Sequence, residues 1–144
     1  MTKKPNIILL FADDLGIGDV SAFNPEAQFE TENIDKLAEA GIKFTDSHAT
    51  SALCTPSRYG LLTGRYNWRS RLKSSVIPGD SESLIEKDRQ TIAHLLKDQG
   101  YHTSVVGKWH LGMEWQFKDG KDYSNFSKSI ISQSFDWCNF DGYS

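Results

Sequence analysis

Apolar residues fall in short blocks along the chain, and their spacing changes from block to block. Ile7 to Ala12 is a continuous apolar run bounded by Pro5 and Asp13. A run that short and apolar at every position predicts a parallel strand covered on both faces. In "TENIDKLAEAG" the period lengthens, and Ile34, Leu37 and Ala38 share one helical face. Thr31 stands at the N-cap, Glu32 and Asp35 fall in the first turn, and Gly41 ends the helix. "IKFTDSHA" then reads as extended. "TIAHLLKDQG" repeats the helical pattern, with Ile92, Leu95 and Leu96 on one stripe, Lys97 in the last turn and Gly100 as terminator. "YHTSVVG" follows as another strand. This alternation predicts an α/β fold with a mostly parallel central sheet flanked by helices. Residues 70 to 90 and 113 to 144 are rich in Ser, Asp and Lys, show no clear period, and read as surface loops or irregular structure.

Composition narrows the class. With 144 residues, 38% hydrophobic and 24% charged, the chain has the balance of one soluble folded unit around a single core. A net charge of -3 excludes a broad nucleic-acid face, which needs concentrated Lys and Arg. Cys54 and Cys138 form neither a C-x-x-C pair nor a zinc spacing, so no disulfide framework is expected and Cys138 has no assigned role. Lys3 and Lys4 before "NIILLFA" imitate a leader, but Asp13 and Asp14 cut the run short and no small-residue cleavage site follows. No segment is long enough to span a membrane, so no membrane partner is expected. The expected location is periplasmic or secreted if a leader has been removed, and cytoplasmic otherwise. Asn125-Phe126-Ser127 matches a glycosylation acceptor, which matters only in a secreted eukaryotic protein.

Ligands of open parallel sheets gather at the carboxyl ends of strands, and three groups fall near such ends. Asp13-Asp14 follows the first apolar run; adjacent carboxylates reach one ion only if the strand has ended and the chain bends, which Leu15-Gly16-Ile17-Gly18 permits. Such oxygens suit Ca²⁺ or Mg²⁺, and a solvated turn is the other reading. In "VVGKWHLG", Lys108 and His110 are two apart, so on an extended segment they project to one side while Trp109 faces the other. A cation and a proton-transfer group then share a pocket, or His110 is a structural residue beside an aromatic. In "ALCTPSRYGLLTGRY", Pro56 suits a first helical turn, which puts Cys54 at a helix N-terminus with Arg58 returning to the same end. That environment stabilises a thiolate or an oxyanion, and a buried small thiol is the competing reading.

"CTPSRYGLLTGR", Cys54 to Arg65, resembles the signature of the type I sulfatases of the alkaline phosphatase superfamily, in which the Cys of C-x-P-S-R is oxidised to formylglycine. "PNIILLFADDLG" is similar to that family's first strand with its Asp pair, "GKWHLG" to its Lys and His motif, and "SFDWCNFDGYS" to a looser version of its Phe-Asp element. The motifs occur in the family's order over nearly the whole chain.

The resemblance implies an alkaline-phosphatase-like fold, with residues 1–144 as the N-terminal part of a sulfatase catalytic domain. It implies that Asp13, Asp14 and an oxygen of modified Cys54 bind a divalent cation, Ca²⁺ with Mg²⁺ possible. Arg58 holds the formylglycine, Lys108 contacts that residue and a sulfate oxygen, and His110 bonds the second hydroxyl of the hydrated aldehyde. One hydroxyl of the geminal diol attacks sulfur; the other, deprotonated by His110, permits release of sulfate by C–O cleavage, which a serine lacks the second hydroxyl to do. Ser57, Thr63, Gly64 and Arg65 complete the signature read by a formylglycine-generating enzyme. The implied activity is arylsulfatase-like hydrolysis of a sulfated small molecule or sulfated carbohydrate.

Family members are several times longer and carry further ligands beyond this stretch, whereas Ca²⁺ takes about 6–8 oxygens. The isolated chain is therefore expected to hold an incomplete site with low or no activity and exposed sheet edges. Two alternatives accompany this reading: a phosphonate or phosphate monoester hydrolase using the same motif, and a non-catalytic truncated binding domain. Arg65, Arg69, Arg71 and Lys73, interleaved with Tyr66 and Trp68, are either a solvated face or a contact for a sulfated sugar.

Overall fold

The computed structural model describes residues 4–113 and 135–139. Asn125-Phe126-Ser127, residues 114–134 of the expected polar loop, and the last five residues of "SFDWCNFDGYS" lie outside them. The chain forms two compact units, Met1–Ser47 and His48–Ser144.

In the first unit the expected strand is absent: Ile7 to Ala12 has no ladder partner among the described residues, and Ile8 and Leu10 are about four-fifths exposed at 82% and 80%. A strand exists only where a neighbouring backbone satisfies its N–H and C=O groups, and the hydrophobic run alone does not supply one. The same correction applies to "IKFTDSHA", which is irregular, with Ile42 and Phe44 exposed. Helix α1, Glu32–Ala40, forms where the period placed it, and Gly41 is its C-cap. Its apolar stripe does not bury: Ile34 and Leu37 are exposed. Thr31 occupies the N-cap position without capping through its side chain. Its Oγ1 instead donates to Asp35 Oδ1 at 2.8 Å and accepts from the Ser21 N–H at 3.0 Å. The Ser21 hydroxyl, ahead of Thr31 and the Ala22 N–H, holds the Asp35 carboxyl below its ordinary range.

The second unit is built on a core of Tyr59, Ile77, Leu84, Ile85, Ala93, Trp109, Leu111 and Phe135. Residues 70 to 90 are irregular, as their composition suggests, but they are not a surface loop, because Ile77, Leu84 and Ile85 are core residues. Helix α2 spans Cys54–Thr63 and helix α3 Ile92–Asp98. α3 starts on Thr91, whose Oγ1 accepts from the His94 N–H, while His94 Nδ1 returns to the Thr91 N–H at 3.2 Å. It ends as a Schellman turn: Gly100, at φ +79°, donates to Lys97 O and the Tyr101 N–H reaches Leu96 O. The expected stripe is displaced, since Ile92 and Leu95 are exposed and Ala93 is the buried residue of this helix.

Strand β1, Ser104–Val106, lies where "YHTSVVG" predicted it and pairs in parallel with β2, Trp137–Asn139. β2 falls in a stretch read as loop; its strand character comes from pairing rather than from any period of its own. The register Ser104↔Trp137, Val105↔Cys138 and Val106↔Asn139 is pinned at one end by Asp136. Its carboxylate accepts from the Thr103 N–H at 2.8 Å and from Lys97 at 3.0 Å, while its own N–H donates to Thr103 O. Those contacts, the Thr103 backbone bond foremost, hold the Asp136 carboxyl at about 2 against an ordinary 3.8. Among the described residues this parallel pair forms a two-stranded sheet. No described helix is long and apolar enough to cross a membrane.

Candidate functional site

Helix α2 begins because the chain stops being extended at Leu53, which sits at φ -116° and ψ 154°. Cys54 is its first residue and Pro56 lies in its first turn, where a missing N–H leaves nothing unsatisfied. The Ser57 hydroxyl donates to Ser51 O at 2.5 Å, tying the incoming loop to that turn. Thr55, Pro56, Tyr59 and Gly60 form the buried face. Gly60 lets Thr50 pack against the helix, for a Cβ there would overlap the Thr50 side chain. At the far end Gly64, at φ +64°, closes the helix by donating to Gly60 O.

The second arm of the site follows β1. Gly107, at φ +106°, and His110, at φ +52°, take the chain out of extended conformation. Lys108 and His110 each reach the start of α2. Lys108 Nζ lies 3.5 Å from Cys54 Sγ. Arg58 Nη1 donates to Lys108 O at 2.5 Å, so the guanidinium fixes the backbone beneath that ammonium. His110 is held through its carbonyl, which accepts from Thr55 Oγ1 at 2.9 Å, and its Nε2 lies 3.0 Å from Ile77 O. Trp109 between them is buried, with Nε1 donating to Gly112 O at 3.0 Å.

Cys54 is thus a half-buried thiol at the N-terminus of a helix, next to an ammonium group. The helix dipole and that cation favour negative charge at this position. The sequence brings together Cys54, Arg58, Lys108 and the backbone of His110, as its motifs suggest. It does not single out Thr55, the open position of C-x-P-S-R, although a hydroxyl residue beside the Cys was a visible signal.

Asp13 and Asp14 belong to the first unit. The chain bends at both, and Asp14 is at φ +57°, which supplies the turn their spacing requires. Two adjacent carboxylates on a turn are hard oxygen donors of the kind Ca²⁺ takes. Among the described residues no group of three or more His, Cys, Asp or Glu side chains is assembled around an ion site.

The basic run after α2 is tied into the fold. Arg65 pairs with Glu86 at 3.1 Å and donates to Arg69 O, Lys73 donates to Trp68 O, and Arg71 donates to Glu82 O. Glu86 also accepts from the buried Tyr59 hydroxyl at 3.1 Å. Burial raises its carboxyl, but its own backbone N–H, Tyr59 and the charges of Arg65 and Arg89 outweigh that and hold it low. Tyr66 and Trp68 stack on each other at 5.4 Å, with the Arg69 guanidinium over Trp68.

A helix N-terminus with an ammonium group 3.5 Å from its first side chain is a place where negative charge is stabilised. The sulfatase family model matches residues 5–143, and the chain belongs to the sulfatase family, within the alkaline phosphatase superfamily. It is 47% identical over 137 residues to an N-acetylgalactosamine-6-O-sulfatase of Bacteroides thetaiotaomicron, covering 94% of this chain and 26% of that protein. It is 48% identical over 121 residues to human steryl-sulfatase, covering 81% of this chain and 21% of that protein. A solved sulfatase structure described with glycosaminoglycan metabolism by Bacteroides thetaiotaomicron superposes with a TM-score of 0.84 at 46% identity, over 97% of this chain and 28% of that one. Ps i-CgsB in complex with k-i-k-neocarrahexaose superposes with a TM-score of 0.76 at 33% identity, over 97% of this chain and 29% of that one. The chain spans about a quarter of the length of the relatives it matches.

Proposed function

We propose that this chain carries the nucleophile-bearing part of a sulfate-ester hydrolase, as the N-terminal part of a sulfatase catalytic domain with an alkaline-phosphatase-like sheet. The observation that carries the reading is the placement of Lys108 Nζ 3.5 Å from residue 54 at the start of α2, over a backbone fixed by Arg58. Formylglycine at position 54 supplies a geminal diol, one hydroxyl to attack sulfur and one to let sulfate leave. Around it, Lys108 binds a sulfate oxygen and offsets the charge that develops there. Arg58 keeps Lys108 in place and adds positive potential at the helix end. His110 moves a proton at residue 54. Asp13 and Asp14 are the carboxylate ligands of a divalent cation, Ca²⁺ or else Mg²⁺, which acts as a Lewis acid when bound.

Sulfated carbohydrate is the substrate class we favour, supported by the N-acetylgalactosamine-6-O-sulfatase relative and by the neocarrahexaose complex of Ps i-CgsB. A formylglycine-generating enzyme is the implied modifying partner. Rates on an aryl sulfate, a sulfated disaccharide and an aryl phosphonate, measured side by side on the full-length protein from its native host, test the reading. Sulfate esters should be the faster substrates; a phosphonate that outruns both, or hydrolysis of none, overturns it.

A further inference from the structure

Thr55 has no part in the roles just described, yet it is fully buried and its hydroxyl joins the segment that carries Lys108 to the core segment at Ile77. Its Oγ1 donates to His110 O at 2.9 Å and accepts from the Ile77 N–H at 3.4 Å. His110 closes the ring, with Nε2 lying 3.0 Å from Ile77 O. A carbonyl oxygen only accepts, so Nε2 carries the proton of this bond. In the neutral imidazole the other nitrogen, Nδ1, is then the acceptor.

The backbone of His110 sits at φ +52°, a conformation that costs energy for a residue with a Cβ and persists only where its surroundings hold it. The ring of bonds through Thr55 and Ile77 is that restraint. It joins the start of α2, the segment at residue 77 and the segment that carries Lys108, so it fixes the imidazole relative to residue 54.

We infer that Thr55 is a positioning residue for His110, holding its ring in place as the Nε2–H tautomer against Ile77 O. The inference rests on the sulfatase reading for its reaction but on this chain's own geometry for the tautomer. Nε2–H stays on Ile77 O, which anchors the ring.

Long-range ¹H–¹⁵N correlation spectra of the protein with ¹⁵N-labelled histidine read the tautomer directly, with His110 assigned by the signal lost in His110→Gln. Wild type and Thr55→Ser should show His110 protonated on Nε2 and unprotonated on Nδ1. Thr55→Val, which keeps the shape and removes the hydroxyl, should lose the single-tautomer signature. Its kcat should fall roughly tenfold to a hundredfold with a smaller change in KM, as expected for a misplaced catalytic group, and Thr55→Ser should restore most of it. Protonation on Nδ1 in the wild type, or a wild-type kcat in Thr55→Val, overturns the inference. If Thr55→Val does not fold, the wild-type spectrum decides. Failure of the full-length wild-type protein to hydrolyse any sulfate ester counts against the sulfatase reading and leaves the tautomer measurement standing.

Discussion

Gly112→Ala perturbs the segment that carries Lys108 and His110 without touching either side chain. Gly112 sits at φ +77°, where a Cβ costs about 1–2 kcal/mol. Its Cβ would also meet Glu82 C at 2.8 Å and Ser81 O at 2.9 Å, which are backbone atoms that cannot swing away as a side-chain tip does. Forcing the two segments apart adds an overpacking cost of about 1–3 kcal/mol, so the total is about 2–5 kcal/mol. The bonds stretched by that movement are Leu84 N–H to Leu111 O at 2.8 Å and Met113 N–H to Ser81 O at 3.0 Å. A matched control exists in Gly100, at φ +79° with nothing within 4 Å of its Cβ. Gly100→Ala isolates the backbone strain, and the difference between the two variants isolates the steric cost. Urea unfolding of wild type and both variants measures it, with midpoints falling in the order wild type, Gly100→Ala, Gly112→Ala. Equal midpoints for the two variants would refute the close approach of residues 81–82 to residue 112.

Thr91→Ala removes the N-cap of α3 and the partner of His94, and should destabilise the second unit by about 0.5–2 kcal/mol in the same assay. Asp136 is held at about 2 in the folded chain against 3.8 ordinarily, so its contribution is present above 3.8 and lost as pH falls through about 2. Asp136→Asn should therefore give a shallower loss of stability over that window, read from thermal midpoints at successive pH values. Lys108→Ala removes the ammonium from the anion site and should lower kcat on a sulfate ester by about 10²–10³-fold, measured as initial rates at saturating substrate.

Local signals carried furthest where one short segment satisfies its own backbone. The bounds of α1 and α3 and the start of α2 were legible because caps, first-turn residues and terminating glycines act within a few positions. Pairing was not legible. Ile7 to Ala12 has a stronger strand pattern than Trp137–Asn139, yet the second pairs with β1 and the first has no ladder partner among the described residues. Side-chain burial was misjudged for the same reason, since the apolar positions of α1 and α3 face directions set by neighbours that periodicity does not name. Cys54, Arg58 and Lys108 were legible as neighbours because helix position and residue type bring them to the start of α2. The turn at Gly107 and His110, and the buried hydroxyl of Thr55 that braces it, depend on contacts about fifty residues apart, such as the one between Thr55 and His110 with a separation of 55.

The central claim is that residue 54 is the reacting centre of a sulfatase site and is chemically converted from cysteine. Cleavage after Lys43 and Arg58 releases the peptide Phe44 to Arg58, which contains that residue. Mass spectrometry of this peptide, from protein made in its native host, should show the aldehyde form, lighter than cysteine and reactive toward a hydrazide. A peptide carrying only intact Cys54, with no hydrazide-reactive fraction, would contradict the account.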